Sequence, residues 1–131
     1  MAKSTSQIAE AVAAAEAALH QVDAQLPGEA LPHLRAAQDH LTRAIDEAMA
    51  AAIALEGNSI RTAGQLAGLS ENAVGPRLAR TSLLAAYGSE TGRVTASGVE
   101  RARYDLEEGR HRTTEPGAQQ PPLRFRARRN T

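Results

Sequence analysis

SIRTAGQLAGLSENAVGPRLAR, residues 59–80, decides how the rest of the chain is read. Ser59 carries the side chain of a helix N-cap, and Ile60, Ala63, Gly64 and Ala67 come after it at helical spacing. Gly68 permits the left-handed backbone that ends a helix, and Leu69 fills the corner beyond it. Ser70 is placed to cap a second helix, with Glu71 suited to the positive end of its dipole and Val74 and Leu78 facing inward. Gly64 is small where the first helix nears the second. The spacing predicts two short helices joined by a tight turn.

Small Gly64, Gly68 four residues later, then apolar Leu69, Val74 and Leu78 make this stretch resemble the helix-turn-helix of bacterial DNA-binding proteins. The residues after Thr81 resemble the winged variant of that unit. Ser82–Tyr87 reads as a strand, residues 88–92 as a turn and Arg93–Thr95 as a returning strand. Val94–Gly98 then leads into a last helix, so the resemblance reaches from Ala50 to Glu108. It implies that the second helix lies in a DNA major groove, with Glu71 and Asn72, then Arg77 one turn on, at the base edges. Asparagine pairs bidentately with adenine and arginine with guanine. It also implies phosphate contacts from Arg61, Thr62, Arg80 and Thr81, and a contact from Arg93 at the wing tip with phosphate or the minor groove.

One feature departs from the pattern. Gly75-Pro76 falls inside the second helix, where proline lacks the N–H that would bond to Asn72, at a cost of roughly 3 kcal/mol in a regular helix. A rival parse starts a helix at Pro76 and runs it through Tyr87 to Gly88, leaving no wing strand. Alternatively, a kink at Gly75-Pro76 tilts the second turn and lets the helix backbone approach DNA without a bulky side chain between them.

Residues 1–56 read as two amphipathic helices. In the first, Ile8, Val12, Ala15, Leu19, Val22 and Leu26 recur in a heptad rhythm that Pro27-Gly28 ends. In the second, Leu34, Leu41, Ile45, Ala48, Ala52 and Leu55 continue it, interrupted by Gln38, with Pro32 in the first turn and Gly57 as the stop. Arg35, Asp39, Arg43 and Glu47 form a ladder of alternating sign expected to face water. Many seam positions are alanine, so the helices can approach closely but bury little area each. A homodimer through Val12, Leu19, Leu34, Leu41 and Ile45 is favoured, because two DNA-reading heads on one duplex gain through effective concentration. A hairpin folded within one chain remains open, as does a different protein partner; a heptad seam does not separate them.

The 131 residues suffice for one domain plus tails. A formal charge of zero conceals an asymmetry: residues 1–56 hold three basic residues against eight acids, and residues 57–131 hold twelve arginines against seven. That division suits a polyanion-binding module joined to something else. Fourteen arginines to one lysine, with abundant alanine, matches a GC-rich bacterial genome. There is no cysteine, hence no disulfide or thiolate metal site. No apolar run approaches a membrane span and the first residues lack the apolar core of a signal peptide, so the expected place is the cytoplasm, on the nucleoid.

Val99, Ala102 and Leu106 give the last helix its apolar stripe. From Gly109 the chain turns poor in apolar residues and rich in arginine and proline, and is expected to be a disordered basic tail. Its Arg124, Arg126, Arg128 and Arg129 flank Phe125 and would follow phosphates without reading sequence. No enzyme is expected. His33 and His40 stand two helical turns apart, about 10 Å, too far to share one ion. No phosphate loop or nucleophile elbow appears, and no metal or cofactor is implied.

The sequence thus predicts a mainly α chain: a hairpin or dimerisation region over 1–56, a winged helix-turn-helix head with its last helix over 57–108, and a disordered tail over 109–131. The expected function is sequence-specific binding of double-stranded DNA, as a homodimeric transcriptional regulator. The alternatives are an accessory or partition protein of a mobile element, and a helical interaction protein whose helix-turn-helix is only structural.

Overall fold

Helices α1 (Ala2–His20) and α2 (Pro27–Glu56) form an antiparallel hairpin, and α3 (Ile60–Ala67), α4 (Glu71–Leu78) and α5 (Ala96–Glu107) form a head at its open end. The computed structural model describes residues 2–114, with side chains from residue 6 onward. The chain is mainly helical, and no strand forms among the described residues.

The hairpin closes on alanine. Gln7, Ala11 and Ala15 of α1 and Ala30, Ala37 and Ala44 of α2 are its buried positions. Side chains this small let the two backbones approach closely and gain dispersion contacts along their length. The expected seam residues Val12, Leu19, Leu34, Leu41 and Ile45 instead stay 39–46% exposed. Each helix carries an alanine stripe beside a larger apolar stripe, and only the alanine stripes meet.

The helix limits also move. Asp23 accepts the Gln25 amide through Oδ1 at 2.9 Å and the Leu26 amide through its carbonyl at 3.0 Å, so a turn interrupts the heptad rhythm after His20. α2 therefore begins at Pro27, whose missing N–H costs nothing at the first helical position, and Pro32 lies inside the helix rather than in its first turn.

α2 belongs to both halves of the molecule. Beyond Ala44, its Met49, Ala50, Ile53 and Ala54 join Ala63, Val74, Leu78, Leu83, Leu84, Tyr87, Val94, Val99 and Ala102 in a single core. The sequence boundary after residue 56 marks the end of this helix, where Gly57 adopts a left-handed φ of 81°, but the head's core begins well before it. Glu47, expected on the water-facing ladder, is buried. Its carboxylate accepts the Ser82 hydroxyl at 2.8 Å and the Ser82 amide at 3.1 and 3.2 Å. Of that ladder, Arg35 and Asp39 do pair in solvent, at 3.1 Å.

Both readings of residues 76–95 require correction. Ser82–Tyr87 is not a strand, because Leu83, Leu84 and Tyr87 all face the core at helical spacing. It is a series of turns closing in a 3-10 turn at Ala85–Tyr87. Nor does one helix run from Pro76 to Tyr87: Thr81 Oγ1 donates to the Leu78 carbonyl at 2.7 Å and accepts the Leu84 amide at 3.3 Å, which ends α4 and starts the next turn. The turn over residues 88–92 does form, with the Ser89 amide donating to the Arg93 carbonyl at 2.8 Å. The Val94 amide then bonds to the Gly75 carbonyl at 3.0 Å in place of a partner strand.

Of the expected tail from Gly109, residues 109–114 are held on the head, and residues 115–131 lie outside the described residues. The Arg110 amide donates to the Asp105 carbonyl at 2.7 Å, the Arg112 amide to the Tyr87 hydroxyl at 3.1 Å and the Thr114 amide to the Ser82 carbonyl at 2.9 Å. The His111 ring lies against Tyr87, with centroids 5.2 Å apart. Residues 109–114 are thus a strap across the head.

Candidate nucleic-acid interface

The pair α3–α4 is built by the local chemistry that residues 59–80 carry. The Ser59 hydroxyl accepts the Thr62 amide at 3.0 Å, capping α3. Gly68 takes a φ of 76°, and the Leu69 amide returns to the Gly64 carbonyl at 2.8 Å. A Cβ on Gly64 would stand 2.8 Å from Val74 Cγ2 and 3.3 Å from the Leu69 carbonyl oxygen, so only glycine allows the two helices this close. Ser70 occupies the N-cap of α4, but its hydroxyl makes no capping bond. α4 runs through Gly75-Pro76 without ending.

Five of the nominated residues lie on the surface: Arg61, Thr62, Glu71, Asn72 and Arg80. Arg61 Nε and Glu71 Oε1 are 3.4 Å apart, both largely in solvent. They join the starts of α3 and α4, with Asn72 beside them at the second position of α4.

The other three are committed elsewhere. Arg77 turns toward α2, where Nε meets Asp46 Oδ1 at 2.6 Å. Burial pushes the Asp46 carboxyl above its ordinary value, against the hydrogen bond and charge of Arg77 and the charge of Arg80. Thr81, only 1% exposed, spends its hydroxyl on backbone and has no surface to offer a phosphate. Arg93 is not at a wing tip. It lies half-buried across α4, Nη2 donating to the Asn72 carbonyl at 3.4 Å.

The N-terminal ends of α3, α4 and α5 open onto one cleft of about 430 Å³. Arg61, Arg93 and Arg103 line it, together with Glu71 and Glu100. Backbone N–H groups at helix starts and guanidinium groups favour an anionic oxygen, which the two carboxylates partly offset. Among the described residues no group of three or more metal-ligating side chains forms.

Sequence reasoning missed Arg103. Its guanidinium donates to the Ile53 carbonyl at 2.9 and 3.2 Å and to the Asn58 carbonyl at 3.0 Å, fastening α5 to the end of α2. A cation one turn after Val99, beside an apolar stripe, was the available signal. Arg101 and Arg112 approach the Tyr87 ring at 5.9 and 5.7 Å. The nominated tail arginines, Arg124, Arg126, Arg128 and Arg129, lie outside the described residues. No helix of the described chain is long and apolar enough to cross a membrane. No protein-family model, curated protein or solved structure matches the chain.

Proposed function

We propose that the protein binds double-stranded DNA through α3 and α4, with the start of α4 in the major groove, as a sequence-specific regulator. The observation that carries this reading is the juxtaposition of exposed Asn72 and Arg61 at the open ends of two helices held by Ser59, Gly64 and Gly68. An asparagine in the first turn of an exposed helix suits adenine, and Arg61 and Arg80 suit the flanking phosphates. Arg77 and Thr81 leave the DNA-facing set, and Arg93 shapes α4 from the side. The reader is consequently a narrow one, centred on Asn72.

The test is selection of bound duplexes from a random pool by the full chain, repeated at rising salt. A shared motif that loses an adenine preference in Asn72→Ala supports the reading. Arg80→Ala is expected to weaken all sequences alike and to flatten the salt dependence by about one phosphate contact. Absence of any retained duplex at low salt rejects it.

A further inference from the structure

One face of the hairpin carries large apolar side chains that the described residues leave about half-exposed. At about 100° per residue, Val12 and Leu19 sit about 80–100° around α1 from buried Ala11, and Leu34, Leu41 and Ile45 sit about 40–80° around α2 from buried Ala37, in the same rotational sense. Because the helices are antiparallel, equal senses bring both stripes to one side. At the head end this face runs into an apolar groove of about 290 Å³ between α2 and α3, bordered by Ile45, Ala48, Ala52 and Leu66. Leu66 there is 77% exposed. At the opposite end, the tip of the hairpin projects Leu26 and Leu31, the latter 65% exposed.

We infer that this face is a self-association surface, covered by the same face of a second copy of the chain to give a four-helix bundle. Two observations select a second copy. The first is extent: these half-exposed apolar residues and the alanines between them offer on the order of 800 Å², the share each partner contributes to a standard interface. Monomeric proteins rarely leave so much apolar surface on one face in water, even with Gln38 interrupting it. The second is self-complementarity. A twofold interface needs each contact to be matched by its own mirror across the axis. Here a protruding apolar tip and an apolar groove lie on one face, about 25 Å apart along α2. A twofold axis passing near Leu41 seats the Leu26–Leu31 tip of each copy in the groove beside Leu66 of the other. Leu41 then packs on its own counterpart, as in hairpin-on-hairpin bundles.

Self-association through the hairpin does not require DNA binding by the head, and its test contains no DNA, so either can fail alone. The full chain is taken through sedimentation equilibrium from about 1 to about 100 µM. The expected result is a mass twice 13.8 kDa at the upper end. Leu41→Gln at the centre and Leu31→Gln at the tip are each expected to weaken association at least tenfold, with the circular dichroism of the helices unchanged. Arg43→Gln, on the other side of α2, is expected to leave it unaltered. Should Leu41→Gln lose helix signal, Leu19→Gln on α1 gives the same readout from the other helix. A wild-type chain that stays monomeric throughout overturns the inference and leaves the face to a different helical protein. A dimer indifferent to Leu41→Gln, Leu31→Gln and Leu19→Gln overturns it equally, by placing the contact elsewhere.

Discussion

The guanidinium of Arg93 stands where a side chain at residue 75 would have to go: a Cβ on Gly75 would meet its Nε and Nη2 at 3.0 Å. The same Nη2 donates to the Asn72 carbonyl, the acceptor that Pro76, having no N–H, leaves without its helical donor. Glycine supplies the room and proline supplies the vacant acceptor. A dipeptide that interrupts the helical pattern of the sequence is therefore the seat of a side chain from beyond the following turn.

This seat implies coupling between residues 76 and 93. Arg93→Ala is expected to cost about 1 kcal/mol, since it strips the Asn72 carbonyl of its protein donor. In a Pro76→Ala background the new amide supplies that donor, and the same substitution should cost close to nothing. A double-mutant cycle by urea unfolding reads the difference. Additive effects would mean that the two residues act independently.

Glu47 joins α2 to the segment after α4. Glu47→Ala removes the only described acceptor of a buried Ser82 amide and hydroxyl and is expected to destabilise the fold by about 2–4 kcal/mol. Glu47→Gln keeps one acceptor oxygen and should lose roughly half as much. Thermal unfolding followed by circular dichroism separates these. Equal, small losses would show that Ser82 finds water instead.

Arg77 offers a direct contrast between structural and DNA-reading roles. Arg77→Ala leaves the Asp46 carboxyl, 16% exposed, without its cation and should reduce stability by about 1–3 kcal/mol. The sequence preference of the folded protein is expected to persist. A change in that preference at a temperature where the variant is fully folded would return Arg77 to the base-reading set.

Docking of the strap should depend on pH through His111. Burial pushes its imidazole below the ordinary value of 6.5, with the Leu83 backbone and the Asp105 charge opposing. The docked form therefore takes up fewer protons than the released form. Docking is fully favoured above that ordinary value and weakens as pH falls through it. Protection factors of the Arg112 and Thr114 amides, from hydrogen exchange, are expected to fall on acidification, and His111→Gln should remove the trend. Protection indifferent to pH in the wild type would place the imidazole in solvent.

The parts of the fold that were legible in the sequence are those written in local chemistry. The Ser59 cap, the left-handed Gly68 and the close approach at Gly64 each derive from a residue and its near neighbours. The parts that were not legible depend on distant partners. Nothing near Arg77 or Ser82 announces Asp46 or Glu47, which stand 31 and 35 residues earlier in the chain. The wing was misread for another reason: resemblance supplied strands where Leu83, Leu84 and Tyr87 keep a helical spacing. On the hairpin, the heptad pattern marked the stripe of Val12, Leu19, Leu34, Leu41 and Ile45 and passed over Ala11, Ala37 and Ala44 beside it. Close packing chose alanine, because only the smaller side chains let the backbones meet.

A single unbroken α2 runs from the apolar face of the hairpin into the core of the head. It therefore acts as an axle that sets an angle as well as a distance. One residue inserted between Ile45 and Met49 would turn the head by about 100° relative to the hairpin, whereas seven would nearly restore the angle and move the head about 10 Å outward. The direction in which α4 points is thus written in the residue count of the helix that Arg77 and Val74 hold it against.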